Sequence, residues 1–149
     1  MQRNINITAL GAIRMSNALI GPIMNGGKLI VTISSEAGST GDCRDVWFGY
    51  CMAKAAVNMG LVVIHNKIRS EGGRVILLHP GWVKTFMSGE LNDAGTYTPA
   101  ESAANILRTI SECKDEIGEK PRIWRPTRAN RCLGEADICP SQRNRRRPK

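Results

Sequence analysis

Tyr50-x-x-x-Lys54 puts a phenol and an ammonium four residues apart, one turn along a helix and on the same face. A neighbouring cation favours the phenolate form, which makes the tyrosine a competent proton donor to a carbonyl oxygen. Alone the pair is a weak signal. At ordinary residue frequencies about one chain in four of this length carries it by chance, as a helix with an exposed lysine and a half-buried tyrosine. Its surroundings add weight. Ser34-Ser35 follow directly on the apolar run Leu29-Ile30-Val31-Thr32-Ile33, and a second run, Arg74-Val75-Ile76-Leu77-Leu78, leads into His79-Pro80-Gly81-Trp82-Val83-Lys84-Thr85. If the two runs are parallel strands, Ser35, Tyr50 and Lys54 converge at the carboxyl end of a sheet, where open α/β folds bind ligands. A serine hydroxyl there can hold a substrate oxygen while the tyrosine transfers the proton. The plainer role for Ser35 is to cap the backbone of its own loop.

The elements that must position these groups are legible in the hydrophobic pattern. Residues 8–24 carry Leu10, Ile13, Ala18 and Ile20 in a helical arrangement, and Asn25-Gly26-Gly27 should end that helix with a glycine in the left-handed region. The runs at 29–33 and 74–78 are short, continuous and rich in branched residues, the habit of strands buried on both faces of a parallel sheet. Residues 34–45 are rich in Ser, Gly and Asp and read as a loop. From Val46 to about Ser70 a long helix is expected, apolar around most of its circumference and so covered on two sides, with Gly72-Gly73 closing it. Strand, helix, strand is a βαβ unit. Pro80-Gly81 breaks the second strand, and 82–98 should be irregular. Thr98-Pro99-Ala100-Glu101 is a helix start of the capping-box kind, followed by a stripe of Ala103, Ile106, Leu107 and Ile110 that should run to about Gly118.

Charge separates the chain into two parts. The 149 residues carry a net +8, but residues 1–118 hold 11 Lys/Arg against 10 Asp/Glu, whereas 119–149 hold 10 against 3. The basicity therefore belongs to the tail, which has no apolar period and is expected to be disordered. The run Arg145–Arg147 is too short to argue for nucleic acid, so no nucleic-acid partner is expected. The five cysteines (Cys43, Cys51, Cys113, Cys132, Cys139) are an odd number at irregular spacing, without a C-x-x-C pair or a suitably placed histidine. Free thiols in a reducing compartment, and no metal site, are expected. The first residues have no signal-like apolar core, and the uninterrupted apolar runs fall well short of the roughly 18 residues of a membrane helix. A cytoplasmic protein without a membrane partner is the expectation.

Three segments in this order and spacing, Leu29–Gly38 (LIVTISSEAG), Tyr50–Met59 (YCMAKAAVNM) and Leu78–Thr85 (LHPGWVKT), resemble the short-chain dehydrogenase/reductase family, within it the carbonyl reductases of C-factor and sniffer type. The likeness runs over about residues 5–117. It implies an α/β, partial Rossmann-like fragment of a doubly wound parallel sheet, ordered helix-strand-helix-strand-helix over 1–118, with 119–149 as the basic tail. It also implies an oxidoreductase using NAD or NADP on a small carbonyl or alcohol. By the same resemblance Tyr50 is the acid/base, Lys54 assists it and holds the nicotinamide ribose, and Ser35 positions the substrate carbonyl. Pro80, Gly81, Val83 and Thr85 would line the nicotinamide pocket.

Measured against the family pattern, the glycine-rich turn that would hold the cofactor pyrophosphate has no counterpart in this chain, which is expected to be the C-terminal half of the domain. By itself it is expected to bind NAD(P)H very weakly or not at all, so that activity of this chain alone is not implied. The helix asparagine of the family's catalytic set falls at Thr8, with Asn6 two residues out of register, and Phe86 stands where an acidic residue often precedes Met87. A non-catalytic alternative follows from the same resemblance. In the family the helices matching 8–24 and 46–70 form a dimer interface, so the chain could associate with itself or with a full-length relative.

Overall fold

The computed structural model describes residues 1–40, 47–115, 123–125 and 131–133. The helix α1 (Gln2–Asn25) starts six residues earlier than the sequence pattern indicates and contains a π-helical stretch at Ile5–Leu10. Its exit also differs from expectation. Gly26 has φ −110°, and the left-handed residue is Lys28, at φ 54°. Lys28 returns its N–H to the Ile23 carbonyl at 2.9 Å and its Nζ to the Glu71 carbonyl at 2.9 Å. Two glycines in succession let the chain place its reversal where these bonds form.

Strands β1 (Leu29–Ile33) and β2 (Arg74–Leu78) have the bounds expected and pair in parallel, with Leu29 opposite Arg74 and Ile33 opposite Leu78. Between them lie a 3₁₀ turn at Glu36–Gly38, the helix α2 (Phe48–Ile68) and a second 3₁₀ turn at Arg69–Glu71 that ends on Gly72 at φ 83°. After β2 comes an irregular segment, then α3 (Pro99–Cys113), which starts on the anticipated capping box. Strand alternation sorts the apolar residues onto the two faces of the sheet. Ile30, Val75 and Leu77 face α1 and α2, where Ala9, Val57, Leu61, Ile64 and Ile68 complete one core. Leu29, Val31, Ile76 and Leu78 face α3, through Ile106, Ile110 and Cys113. Helices thus cover both faces of the sheet.

Three expectations need correction. β2 is buried along its length but β1 is not: only Ile30 is buried and Ile33 is 45% exposed, because β1 pairs on one side only among the described residues. The buried face of α3 is only in part the anticipated stripe: Ile106 and Ile110 pack on the sheet, but Ala103 and Leu107 are exposed. Leu107 is 67% exposed, while Ser102 and Thr109 are buried, since their hydroxyls donate to the Pro80 and Asn105 carbonyls at 2.8 and 2.9 Å. And two short strands stand where no strand period was read. β3 (Ile123–Arg125) extends the sheet parallel to β2, and β4 (Arg131–Leu133) pairs antiparallel with β3. The remaining residues assigned to the tail, and the end of the helix expected near Gly118, lie outside the described residues.

By length and composition α1 and the helical stretch Phe48–Glu71 could each cross a membrane, which the short apolar runs had not indicated. A lone Asn or Gly interrupts a run without making a helix polar. In this fold α2 instead lays Ala53, Val57, Leu61, Ile64 and Ile68 against the sheet and α1. The approach of α1 to α2 is close, with Ile13 filling the space that a side chain at Gly60 would need.

Candidate active site

At the carboxyl ends of β1 and β2 the paired strands open into a cavity of about 420 Å³. The last backbone contact between the two strand ends is Ser34 N–H to the Leu78 carbonyl at 2.6 Å. From β1 the cavity receives Ser35, Glu36 and Ala37; from the start of α2, Trp47, Tyr50 and Cys51; and from beyond β2, His79, Pro80, Gly81, Trp82, Val83 and Thr85. Six of the seven residues expected at the site therefore line one space. Lys54, the seventh, does not line it.

Ser35 is buried and its Oγ accepts the Ala37 N–H at 3.1 Å, capping the 3₁₀ turn. The capping and the catalytic role are compatible. A hydroxyl has two acceptor lone pairs and one proton, and the cap uses an acceptor only, leaving the proton for a ligand oxygen. Trp47, at φ 51°, is the left-handed residue from which α2 starts. Its ring meets Tyr50 edge-on, centroids 5.9 Å apart at 89°, which fixes the phenol at the first turn.

Lys54 lies one turn further along. Its Nζ is 5.7 Å from the Tyr50 ring centroid and donates to the Ile33 carbonyl at 3.0 Å. Desolvation by burial holds its pKa below the ordinary lysine value of 10.5. An ammonium has three protons to donate, so the bond to Ile33 leaves others for a ligand.

The exit of β2 is held as firmly. Gly81 takes φ 82° with the Tyr97 ring against it, so a side chain there would be both strained and crowded. Trp82 accepts the Thr96 and Tyr97 N–H groups at 2.7 and 3.1 Å, and Lys84 N–H reaches the Tyr97 carbonyl at 2.9 Å. Ser102 fastens α3 to the Pro80 carbonyl. Of the two candidates for the family's helix asparagine, Asn6 is exposed and accepts a hydrogen bond from Arg14 at 3.0 Å, whereas Thr8 is half-buried in the π-helical stretch.

Two groups at or behind the site were not anticipated. His79 Nδ1 accepts the Glu36 N–H at 3.4 Å, and its Nε2 stands 3.7 Å from the Glu36 carboxylate, so the histidine clasps the Ser35 turn from the β2 side. Asn58 is buried on α2 and bonds both Ser34 and Gly38. The signal for Asn58 was present: it extends the Tyr50, Lys54 spacing by another four residues.

A parallel sheet with helices on both faces, and a cavity at the carboxyl ends of its strands, define a Rossmann-like α/β fold. A sequence model of the short chain dehydrogenase family matches residues 1–95, and the chain belongs to that family. Over 118 residues it is 32% identical to 1-hydroxy-2-glutathionyl-2-methyl-3-butene dehydrogenase of Rhodococcus sp. (strain AD45), covering 78% of this chain and 52% of that protein. It is 35% identical over 118 residues to C-signal of Myxococcus xanthus, covering 78% of this chain and 69% of that protein. Among solved structures, the NADPH-bound carbonyl reductase from chicken fatty liver superposes with a TM-score of 0.72 at 23% identity, over 89% of this chain and 57% of that one. Carbonyl reductase Sniffer of D. melanogaster gives 0.70 at 20% identity, over 82% and 52%. At these identities the two structures establish the fold. The chain spans about half the length of the Rhodococcus dehydrogenase and of both solved structures.

Proposed function

We propose that the cavity is the carbonyl-reducing site of an NAD(P)-dependent oxidoreductase, with Tyr50 as acid/base, Lys54 as its cationic partner and Ser35 as the residue that holds the substrate oxygen. The observation that carries this reading is the convergence of Ser35 and Tyr50 with the Pro80, Gly81, Val83 and Thr85 strand exit on one cavity. The residues present suit the nicotinamide end of the cofactor: the Thr85 hydroxyl offers a donor, the wall is mostly apolar, and Lys54, outside the lining, has protons to spare. A glycine-rich pyrophosphate turn is not among the described residues. The nicotinamide, when bound, supplies or accepts the hydride.

The rest is done by side chains of this chain. The Ser35 hydroxyl donates a hydrogen bond to the substrate carbonyl oxygen, keeping its own proton, and fixes that oxygen's direction. Tyr50 passes its phenolic proton to that oxygen as negative charge develops on it, and solvent returns the proton afterwards. The Lys54 ammonium stands beside the ring that takes up the charge. Trp47, Trp82, Val83 and Met87 give the substrate an apolar enclosure, suited to a small carbonyl or alcohol. In this reading α2 is a sheet-covering helix of a cytoplasmic enzyme, with no membrane and no nucleic acid involved.

The test is Tyr50→Phe in a chain with the family's N-terminal half restored, assayed for carbonyl reduction with NADH or NADPH and for cofactor affinity. It should remove turnover and leave cofactor binding and circular dichroism unchanged, because it deletes one transferable proton and nothing else. Turnover near that of the parent would refute the assignment.

A second, non-catalytic reading is favoured by one observation. Ile7, Met15, Met59 and Val63 are 61%, 62%, 66% and 49% exposed on α1 and α2, an apolar covering wanting a partner. In that reading the chain associates with itself or with a longer relative through these helices. Sedimentation of the parent and of Met59→Lys tests the association, and cofactor titration separates the two readings, since only the first requires the cofactor to bind.

A further inference from the structure

We propose that Asn58 is a positioning residue for Ser35, acting from α2 on both ends of the turn that carries the serine hydroxyl. The proposal rests on the reading of the cavity as a carbonyl-reducing site, in which the direction of the Ser35 hydroxyl sets where the substrate oxygen is held.

Asn58 lies outside the cavity and is only 8% exposed. A buried side-chain amide has to find partners for its carbonyl and its amino group. Here the two ends go to opposite sides of Ser35. Ser34 Oγ donates to Asn58 Oδ1, and Asn58 Nδ2 donates to the Gly38 carbonyl at 3.4 Å. Between Ser34 and Gly38 the backbone makes one tight turn, with Gly38 N–H on the Ser35 carbonyl at 3.0 Å and Ser39 N–H on the Glu36 carbonyl at 2.8 Å.

The turn rests directly on the helix. A Cβ at Gly38 would stand 2.7 Å from the Lys54 carbonyl carbon and 2.7 Å from Asn58 Nδ2. One helical turn before Asn58, Lys54 Nζ reaches the carbonyl of Ile33, the residue preceding Ser34. The helix that presents Tyr50 therefore also fixes the segment that presents Ser35. Asn58 supplies the polar contact on each flank of the serine, and its distance from Tyr50 is set by the same helical repeat. Proton donor and oxygen holder are thereby kept in register by one rigid element.

Amide hydrogen exchange in the full chain, read residue by residue by NMR, tests this directly. In Asn58→Leu the amides of Ala37, Gly38 and Ser39 should lose protection by about tenfold or more relative to Ile76 and Leu77 of β2, as expected of a local opening. Asn58→Asp keeps the acceptor for Ser34 and should fall between. Ser34→Ala, a milder removal of one contact, should give the same local signature, and it serves if Asn58→Leu does not fold. Protection at 37–39 that moves only in step with β2 would overturn the proposal.

Turnover supplies the readout that a purely structural role would leave additive. Asn58→Leu should lower kcat by about 10- to 100-fold with the cofactor KM unchanged, the scale of an ångström-level misplacement. In a Ser35→Ala background it should lower kcat no further, because its effect passes through Ser35. Additive losses would overturn the proposal. If turnover proves independent of Tyr50, the reading of the cavity fails, while the exchange measurements still decide the role of Asn58.

Discussion

Replacing Gly38 with alanine adds one methyl group behind Ser35, and the structure sets both the sign and the size of its effect. Gly38 does not have a positive φ, so its backbone suits alanine. In open surroundings the change would stabilise the protein by about 0.4–1 kcal/mol, by restricting the unfolded chain. Space reverses this. The new Cβ would meet Asn58 Nδ2 and the Lys54 carbonyl carbon at 2.7 Å and the Lys54 carbonyl oxygen at 2.8 Å, where ordinary contact begins at 3.4 Å. Two of the three atoms are backbone of a helix packed on the sheet and cannot yield. The turn must therefore retreat by about 0.7 Å, an overpacking of the kind that costs about 1–3 kcal/mol.

The proper control is Gly27→Ala, where nothing lies within 4 Å and φ is not positive. It should be neutral or slightly stabilising. Urea denaturation followed by circular dichroism measures both variants, and for a chain of this size the deficit of Gly38→Ala corresponds to a Tm lower by about 3–10 °C. The retreat also breaks the Asn58 to Gly38 hydrogen bond, already at 3.4 Å, and carries Ser35 out of line. Gly38→Ala as stable as Gly27→Ala would refute the packing argument for the turn.

Two further outcomes depend on ionisation. Burial lowers the Lys54 pKa, and the proposed chemistry needs the ammonium, so reductive turnover should decline on an alkaline limb lying below 10.5; a pH–rate profile with the limb at or above that value would count against the role given to Lys54. The unfolded chain holds that proton more tightly than the folded one, so the same group makes stability rise with pH between the folded value and 10.5, an increase that Lys54→Met should abolish. At the start of α3, the Thr98 N–H and then its hydroxyl lower the Glu101 pKa below 4.5. The cap is then complete above 4.5 and is lost as pH falls through the folded value, and Glu101→Gln should remove that acid dependence from the urea midpoint. Thr98→Ala, which strips the acceptor from the Glu101 N–H, should cost about 1 kcal/mol in the same assay.

What could be read from the sequence was whatever depended on neighbours along the chain. The bounds of β1 and β2, the Gly72 reversal and the Thr98 to Glu101 cap all follow from local composition, and all are found. What failed was burial decided by partners elsewhere. Ile33 has the side chain of a core strand residue but stands at an edge, and Leu107 has the spacing of a core residue but is displaced by Ser102 and Thr109. A short hydroxyl that returns its proton to a carbonyl, as Ser102 does to Pro80, can enter an interior closed to it on a hydropathy scale. The same limit applies at the site. Ser35, Tyr50 and Lys54 were legible because each could do chemistry. Asn58 and His79 act through other residues, and which residues those are is a property of the fold.

The proposed chemistry and the packing that supports it are divided between different parts of the chain. The hydrogen bonds that shape the cavity join Ile33, Ser34 and Gly38 to Lys54 and Asn58, Glu36 to His79, and Pro80 to Ser102. Every one of these residues belongs to the stretch from the end of β1 to the first turn of α3. Helix α1 is joined to this network by apolar contact, at Ala9 and Ile13 against the core face of α2. Apolar contact is tolerant of exchange among residues of similar volume, whereas a buried hydrogen bond leaves an unsatisfied group when either partner is lost. Substitutions in α1 therefore act through stability or association, and those in the network through the direction of Ser35 and the strand exit. The exposed apolar residues of α1 and the polar residues behind the cavity answer to separate demands within one small α/β unit.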